Sequence, residues 1–202
     1  MNTIRLKGIL KNIEDSHVIN NIEFSKANLV VSRPDNSEDC LNIRFKKFSN
    51  FYAEDQEVAL CGNLRSYSSR LDSGKNKVEL YVFTYFDQPD LDENDKEYIN
   101  FLELDGRICK LDTIRISKYG KKSIHFILAN NLIVSEGAKK LNSYIPCVAK
   151  GDLAEQIANL KVNTQIQITG QLHSRQYKKT LPDGEVEFRV AHEVNVTSYK
   201  FI

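Results

Sequence analysis

The amino-acid sequence repeats a short pattern around two pairs of glycines. NTIRLKGILK around Gly8 corresponds to NFLELDGRICK around Gly106, and these two glycines are 98 residues apart. VALCGNLRSY around Gly62 corresponds to IQITGQLHSR around Gly170, and these are 108 residues apart. Blocks that recur in the same order predict two copies of one domain, so any fold for this chain must accommodate a duplication.

A third block supports this interpretation. At the same offset of 108, VELYV at residues 78–82 aligns with VEFRV at residues 186–190. The change of offset from 98 to 108 predicts a ten-residue insertion between the first and second blocks of the second copy. We therefore expect domain 1 over residues 1–86, an acidic linker over 87–99 and domain 2 over 100–202.

The segment between the copies has the composition of a linker. Residues 87–97, DQPDLDENDKE, contain six acidic residues and one lysine, with no apolar periodicity. Residues 1–86 carry a net charge of +1 and residues 101–202 a net charge of +5, while residues 87–100 contribute −5. The near-neutral total of +1 thus hides a basic second copy. We interpret the linker as a solvated spacer, with an electrostatic mimic that covers a basic groove as the alternative.

The second copy predicts the element order of an OB-fold barrel, which is strand, strand, strand, helix, strand, strand. The expected elements are a strand at 102–109, a hairpin at 114–129 turning at Tyr119 and Gly120, a strand at 144–149, a helix at 152–160, and strands at 165–177 and 185–197. Asp152 is the expected N-cap of the helix. In the first copy the helix is reduced to a short one around residues 49–55. The fold class is therefore all-β, with two tandem OB-folds and one short helix per domain.

The second copy resembles the bacterial single-stranded DNA-binding protein family over nearly its whole length. The resemblance rests on LDGRI at 104–108, YIPCVAKGDLAE at 144–155, GQLHSRQY at 170–177 and EVNV at 193–196. It implies that Tyr144 and Tyr177 stack on bases and that His173 and Arg175 contact phosphates. The first copy shares only LKG at 6–8 and GNLRS at 62–66 with the family.

The chain also departs from that family. Members use tryptophans, and this sequence has none. They continue into a glycine-rich tail with an acidic tip, whereas this sequence ends with TSYKFI, so recruitment of partners through such a tail is not expected. The tandem arrangement resembles members in which a dimer supplies four barrels, which implies a homodimer. The primosomal replication protein N, which has this fold without the tail, is also comparable.

The residues themselves predict a nucleic-acid-binding face. Strand alternation turns Leu172 and Ser174 toward the core and His173, Arg175 and Tyr177 outward, since side chains alternate across a strand. Rings stack on any base, and cations meet phosphates. The corresponding first-copy positions are Arg65 and Tyr67. Further expected contacts, on loops and on one first-copy strand, are Lys118, Tyr119, Lys121, Lys122, Lys178, Lys179, Arg70, Arg44 and Lys46.

Other function classes find little support in the sequence. The four cysteines are scattered singly and the four histidines have no carboxylate at a suggestive spacing, so we expect no metal, no cofactor and no enzymatic activity. There is no signal peptide or membrane-spanning run, which indicates a cytoplasmic protein.

We expect a protein that coats single-stranded DNA with little sequence preference in replication, recombination or mobile-element transfer. Proteins of those processes are its expected further partners. The alternatives are a protein-interaction or primosome-type accessory module and an RNA-binding OB protein.

Overall fold

A computed structural model describes residues 1–47, 52–70, 76–85, 98–132, 141–180 and 184–202. Within these ranges the chain forms eleven strands and one short helix. In chain order they are β1 (Asn2–Ile19), β2 (Ile22–Ser32), β3 (Glu38–Lys46), β4 (Glu57–Arg70), β5 (Asn76–Tyr85), β6 (Asn100–Leu111), β7 (Arg115–Ile116), β8 (Lys122–Leu132), β9 (Leu141–Lys150), α1 (Asp152–Ala158), β10 (Gln165–Thr180) and β11 (Val186–Phe201). No helix in the described part is long and apolar enough to cross a membrane.

Strands β1 to β5 close into a barrel. β1 pairs with both β2 and β4, β2 pairs with β3, and β5 joins β4 on one side and β3 on the other. All of these pairings are antiparallel except β3 with β5. The alternating residues of β2 and β3, such as Leu29 and Val31 or Leu41 and Ile43, are almost fully buried. The period-2 pattern of the sequence therefore fills the barrel interior.

Strands β6 to β11 close in the same way. β6 pairs with β8 and β10, β8 with β9, and β11 joins β10 antiparallel and β9 parallel. α1 lies between β9 and β10 and buries Ala154 and Ile157. The expected turn at Tyr119 is present, and Gly120 has the positive φ of 73° that such a turn requires. The two tandem OB-folds predicted from sequence are confirmed.

Two local expectations about helices need correction. Gly151, with φ 61°, is the N-cap of α1, and Asp152 is its first helical residue with no side-chain capping bond. In the first copy, residues 54–55 form a turn and residues 52–53 are irregular, so no helix is present over 52–55. Residues 49–51, the rest of that expected helix, lie outside the described residues, as do residues 87–97 of the expected linker.

The two pairs of glycines occupy equivalent places in the two barrels. A Cβ at Gly62 or Gly170 would come within 3.0 Å of a backbone carbonyl on the neighbouring strand, that of Phe83 or Asn195. Gly8 and Gly106 are equally constrained by the next strand. The repeated glycines therefore mark the points of closest strand approach in each barrel.

The third block of the repeat was misaligned in the sequence analysis. Leu64 pairs with Val82 in the first barrel, and its counterpart Leu172 pairs with Val194 in the second, which is an offset of 112. Residues 186–190 instead belong to an extension of the β10–β11 hairpin, which pairs as far as Thr180 with Val186. The second barrel thus has a longer terminal hairpin than the first.

The barrels are joined by a β-seam. β1 and β6 pair antiparallel from Asn2 with Leu104 to Leu6 with Asn100, which makes one continuous eleven-stranded sheet. The inward-facing residues of both barrels belong to one hydrophobic cluster. Tyr98 packs against that cluster, and the carbonyl of Ile99 accepts a hydrogen bond from the Lys7 amide at 2.9 Å.

Candidate nucleic-acid interface

Beside the seam, the barrels touch through two equivalent serines. Ser174 of β10 accepts a hydrogen bond from the Cys40 amide of β3 at 2.9 Å. Its first-barrel counterpart, Ser66 of β4, accepts one from the Tyr144 amide of β9 at 2.8 Å. Ser174 therefore faces the first barrel and not the core of its own barrel, which corrects the sequence-based expectation. The two contacts are related by an approximate twofold axis through the β-seam.

The acceptors next to these serines differ. The Ser174 amide donates to Asp39 Oδ1 at 2.5 Å, whereas the Ser66 amide donates to Ser143 Oγ at 3.3 Å. Asp39 is fully buried and is bound by the Arg33 guanidinium, whose Nε lies 2.6 Å from Oδ2. The pKa of Arg33 is raised, chiefly by this hydrogen bond. The Ser174 side of the axis thus has a buried ion pair between Asp39 and Arg33, whereas the Ser66 side has a neutral hydrogen bond to Ser143.

The Ser66 contact brings together two predicted stacking residues from different barrels. Tyr144 follows Ser143 on β9, and Tyr67 follows Ser66 on β4. Their side chains are 51% and 53% exposed. Two rings that are 77 positions apart in the sequence thus lie on strands of different barrels that are hydrogen-bonded to each other at Ser66, and both are available to solvent.

His173 is less accessible than the sequence indicated. Its side chain is partly buried, and Nε2 has no hydrogen-bond partner in the structure. Burial lowers the pKa of His173, the nearby Asp39 carboxylate opposing that shift. The imidazole is therefore neutral at neutral pH and is not a permanent cation.

The β10–β11 hairpin carries the largest group of predicted residues. Arg175, Tyr177, Lys178 and Lys179 are all exposed there. The Arg175 guanidinium lies 5.9 Å from the Tyr177 ring centroid, and the Lys178 ammonium lies 5.5 Å from that of Phe188. These spacings are those of cation–π pairs.

The β7–β8 turn presents a second, smaller group. Tyr119 is 76% exposed, and the Lys118 ammonium lies 4.9 Å from its ring centroid. Lys121 is also exposed. Lys122, in contrast, forms an ion pair with Glu155 of α1, and this hydrogen bond raises the pKa of Lys122. Its charge is therefore already compensated within the protein.

The first barrel places its cations on the sheet itself. The Arg44 guanidinium lies 4.1 Å from the Tyr81 ring centroid, and that of Arg65 lies 4.1 Å from the Phe83 centroid. Lys46 is partly buried on the same strand as Arg44. The backbone of Arg70 ends β4, but its side chain lies outside the described residues.

Sequence reasoning missed three rings: Tyr81, Phe83 and Phe188. The signal for the first two was present, because VELYVF alternates, with Leu80 and Val82 buried and the residues between them on the outer face. Phe188 was missed because the misaligned third block assigned it to the barrel wall.

A cleft of about 600 Å³ lies between the barrels. Its walls come from the hairpin, including Tyr177 and Phe188, and from Val78, Glu79 and Asn42 of the first barrel. Glu79 and Asn42 also line a smaller depression of about 220 Å³ that reaches Arg44. The cleft therefore connects the hairpin rings with the cation–aromatic face of the first barrel.

The described residues contain no group of three metal-ligand side chains. The pKa of the Cys147 thiol is strongly raised by complete burial, and the pKa values of Cys40 and Cys109 are raised by partial burial. These thiols are protonated at neutral pH and are not activated nucleophiles.

Comparisons with known proteins agree with this geometry. Residues 100–182 match a protein family described as "another single-strand binding protein family". The search of curated proteins gives no match. The family resemblance inferred from the second copy is thereby confirmed over the second barrel.

Solved structures match over the whole chain. The wild-type single-stranded DNA binding protein from Thermus aquaticus has a TM-score of 0.71 and 16% identity, covering 100% of this chain and 93% of that one. A deletion mutant of the same protein gives 0.72 and 17%, covering 100% and 94%. The protein priB from Ralstonia solanacearum, at a TM-score of 0.40 and 14% identity over 52% of this chain and 99% of that one, is too distant to add support. At 16–17% identity, the similarity to the Thermus aquaticus protein establishes the fold alone.

Proposed function

We propose that this protein binds single-stranded DNA with little sequence preference. Its second barrel matches a single-strand binding family, and its whole chain has the fold of a single-stranded DNA binding protein. It acts by binding and not by catalysis, in the cytoplasm, during replication, recombination or mobile-element transfer. Its further partners under this proposal are proteins of replication, recombination or mobile-element transfer.

The observation that carries the proposal is the repeated pairing of a cation with a ring on the outer faces of both barrels. Arg44 with Tyr81 represents the first barrel, and Arg175 with Tyr177 the second. A ring contributes about 1–3 kcal/mol per stacked base without reading its identity. Arginine and lysine contact phosphates and release counterions, which makes binding dependent on salt.

The direct test is a titration of fluorescent poly-dT at increasing salt. We expect binding that weakens steeply as salt rises, because phosphate contacts release counterions. Competition with rU oligonucleotides tests the choice of nucleic acid, and we expect dT to compete better. An absence of binding to dT at low salt, or a clear preference for rU, would overturn the proposal.

The predicted site residues are tested by single substitutions. Tyr177→Ala and Tyr144→Ala should each weaken poly-dT binding by about 1–3 kcal/mol, since each removes an exposed ring. Phe201→Ala is the matched control, because Phe201 is an exposed ring at the opposite end of the β10–β11 hairpin from Tyr177. Tyr199→Ala, which removes a ring that packs on the core, is a second control. Equal effects at all four positions would contradict the assigned face.

A homodimer formed through the outer face of the β-seam is part of the proposal. The β1 half of this face carries Arg5 and Lys7, and the β6 half carries Glu103 and Asp105. A second copy, turned about an axis along the strands, would place opposite charges over each other. Sedimentation equilibrium should give at least twice the chain mass, and Glu103→Arg should reduce it. A monomer at all concentrations would rule the homodimer out.

The domain limits complete the proposal, with 1–86 and 100–202 as domains and 87–99 as the linker. Limited proteolysis should cut first within residues 87–97, because that segment is polar and rich in acidic residues. First cuts inside a barrel would contradict these limits.

A further inference from the structure

The outer part of the β10–β11 hairpin has two free strand edges. β6 covers β10 only over residues 165–170, and β9 pairs with β11 only at Val194 and Asn195. Beyond these points the described residues show the two strands paired with each other alone. Apart from Ser174, whose amide and carbonyl bind Asp39 and Arg33, the far side of each strand is therefore not paired with another described strand.

The two edges are protected to different degrees against pairing with another strand. The β10 edge carries Arg175, Lys178 and Lys179, and charged side chains of this kind discourage pairing with another strand. The β11 edge instead carries Val186, Phe188 and Val190, which are 55%, 60% and 49% exposed. A strand with alternating exposed apolar residues is suited to receive another strand.

There is room for another strand beside β11. The cleft of about 600 Å³ between the barrels runs along residues 187–193 of this strand. Its opposite wall is formed by Val78 and Pro146, among others. Among the described residues, the apolar edge therefore lines this cleft and is not paired with a further strand.

The sequence of this edge is complementary to itself. If two β11 strands pair antiparallel with Phe188 opposite Phe188 of the second copy, then Glu187 lies opposite Arg189 and Val186 lies opposite Val190. Within one chain Glu187 and Arg189 already share a face and an ion pair, with 2.6 Å between Arg189 Nη2 and Glu187 Oε2. Cross-strand pairs of opposite charge and of apolar residues are the favourable ones in a sheet.

We propose that two copies of this chain associate through antiparallel pairing of their β11 edges, centred on Phe188. This contact is separate from the β-seam face and joins two copies through their hairpins. It does not depend on nucleic acid, so it can be tested without DNA and independently of the proposed function.

The test uses two full-length charge variants and sedimentation velocity. Glu187→Arg gives an edge with two arginines, and Arg189→Glu gives one with two glutamates. Each variant alone should associate about tenfold more weakly than the wild type, because like charges then lie opposite each other. An equimolar mixture should recover association, because the pairs between the two variants are opposite in charge.

This mixing experiment separates pairing between copies from effects inside one chain. Both variants lose the internal ion pair of Glu187 with Arg189, so only a contact between copies predicts recovery on mixing. Association through the β-seam face would persist in each variant alone and would not be restored by mixing. Failure of the mixture to recover would overturn the proposal, as would unchanged association of either variant.

The register is tested by disulfide trapping in a Cys40→Ser, Cys109→Ser background. Directly opposite residues have Cα atoms about 4.5–5.5 Å apart, which a disulfide can span. Phe188→Cys should therefore cross-link to itself, whereas Val186→Cys and Val190→Cys should cross-link only when mixed. Cross-linking of Val186→Cys alone, or of none of these, would refute the register. A change in dT affinity without any change in self-association would show that the edge takes nucleic acid instead.

Discussion

The two barrels have the same topology but present their cations and aromatic rings in different ways. In the first barrel, Arg44 and Arg65 lie over Tyr81 and Phe83 on the curved sheet. In the second, Tyr177 and Phe188 project with their cations from an extended hairpin. The inward-facing residues and the close-contact glycines determine the barrel and are shared, whereas the outward-facing residues are free to differ.

Equivalent positions show how far the outer faces have diverged. Arg65 is paired with Tyr81 across β4 and β5, and the corresponding pair across β10 and β11 is His173 with Glu193. A permanent cation with an aromatic partner is thus replaced by a neutral imidazole opposite an acid. The longer hairpin moves the rings of the second barrel away from this part of the sheet. Four experiments test how this difference between the barrels affects stability and DNA binding.

The largest expected effect concerns the buried acceptors beside the β-seam. Asp39→Ala should lower the free energy of unfolding by about 3 kcal/mol, because it leaves Arg33 and the Ser174 amide without their partner. Ser143→Ala, at the equivalent position, should cost about 1 kcal/mol, since only a neutral bond is lost. Urea denaturation measures both. Equal losses would mean that the two sides of the axis are energetically alike.

The second experiment asks whether both barrels bind DNA. Tyr81→Ala and Tyr177→Ala should each weaken poly-dT binding by about 1–3 kcal/mol, and the double variant should lose the sum, because the rings lie on separate barrels. Fluorescence titration of all three variants decides the point. If Tyr81→Ala binds like the wild type and has normal stability, the first barrel takes no part in binding.

A smaller effect is expected at the paired serines. Ser66→Ala and Ser174→Ala should each lower stability by about 1 kcal/mol, since each leaves a backbone amide of the other barrel without its acceptor. Only Ser66→Ala should also weaken dT binding, because Ser66 holds the backbone of Tyr144. Urea denaturation and titration of both variants check this. Identical DNA affinities would show that Tyr144 does not depend on that contact.

The smallest effect is a dependence of stability on pH. Because burial lowers the pKa of His173, the unfolded chain binds a proton more readily than the folded chain. Stability therefore falls as the pH drops below about 6.5, the ordinary histidine value, and is unaffected above it. His173→Gln should reduce this fall between about pH 7 and pH 5 in urea denaturation. Arg65→Gln at the equivalent position should leave it unchanged, and a similar reduction there would exclude His173 as the source.

The fold could be predicted from sequence largely because the constraints on it are local. Gly62 and Gly170 mark strand contacts, the period-2 pattern marks the barrel walls, and Gly120 marks a turn. The hairpin extension could not be located in this way, since VEFRV resembles VELYV and only the pairing register distinguishes them. An alignment by residue type therefore assigned Phe188 to the wrong place.

The site was less predictable than the fold because accessibility depends on tertiary contacts. Nothing near Lys122 in the sequence indicates Glu155, which reaches it from α1. Similarly, the burial of His173 depends on the packing of the barrels against each other. The hydrogen bond from the Tyr144 amide to Ser66, which lies next to Tyr67, also follows only from the contact between the barrels, although each tyrosine was identified separately.

The β-seam has a consequence for affinity. Because β1 and β6 share one ladder of pairs, the barrels are held at a fixed separation by backbone hydrogen bonds. Under the proposed function, once one barrel binds part of a DNA strand, the other barrel meets the adjacent nucleotides at a high effective concentration, so that the two affinities multiply. The gain holds only for strands long enough to span both barrels, so oligonucleotide length should set a sharp threshold for tight binding.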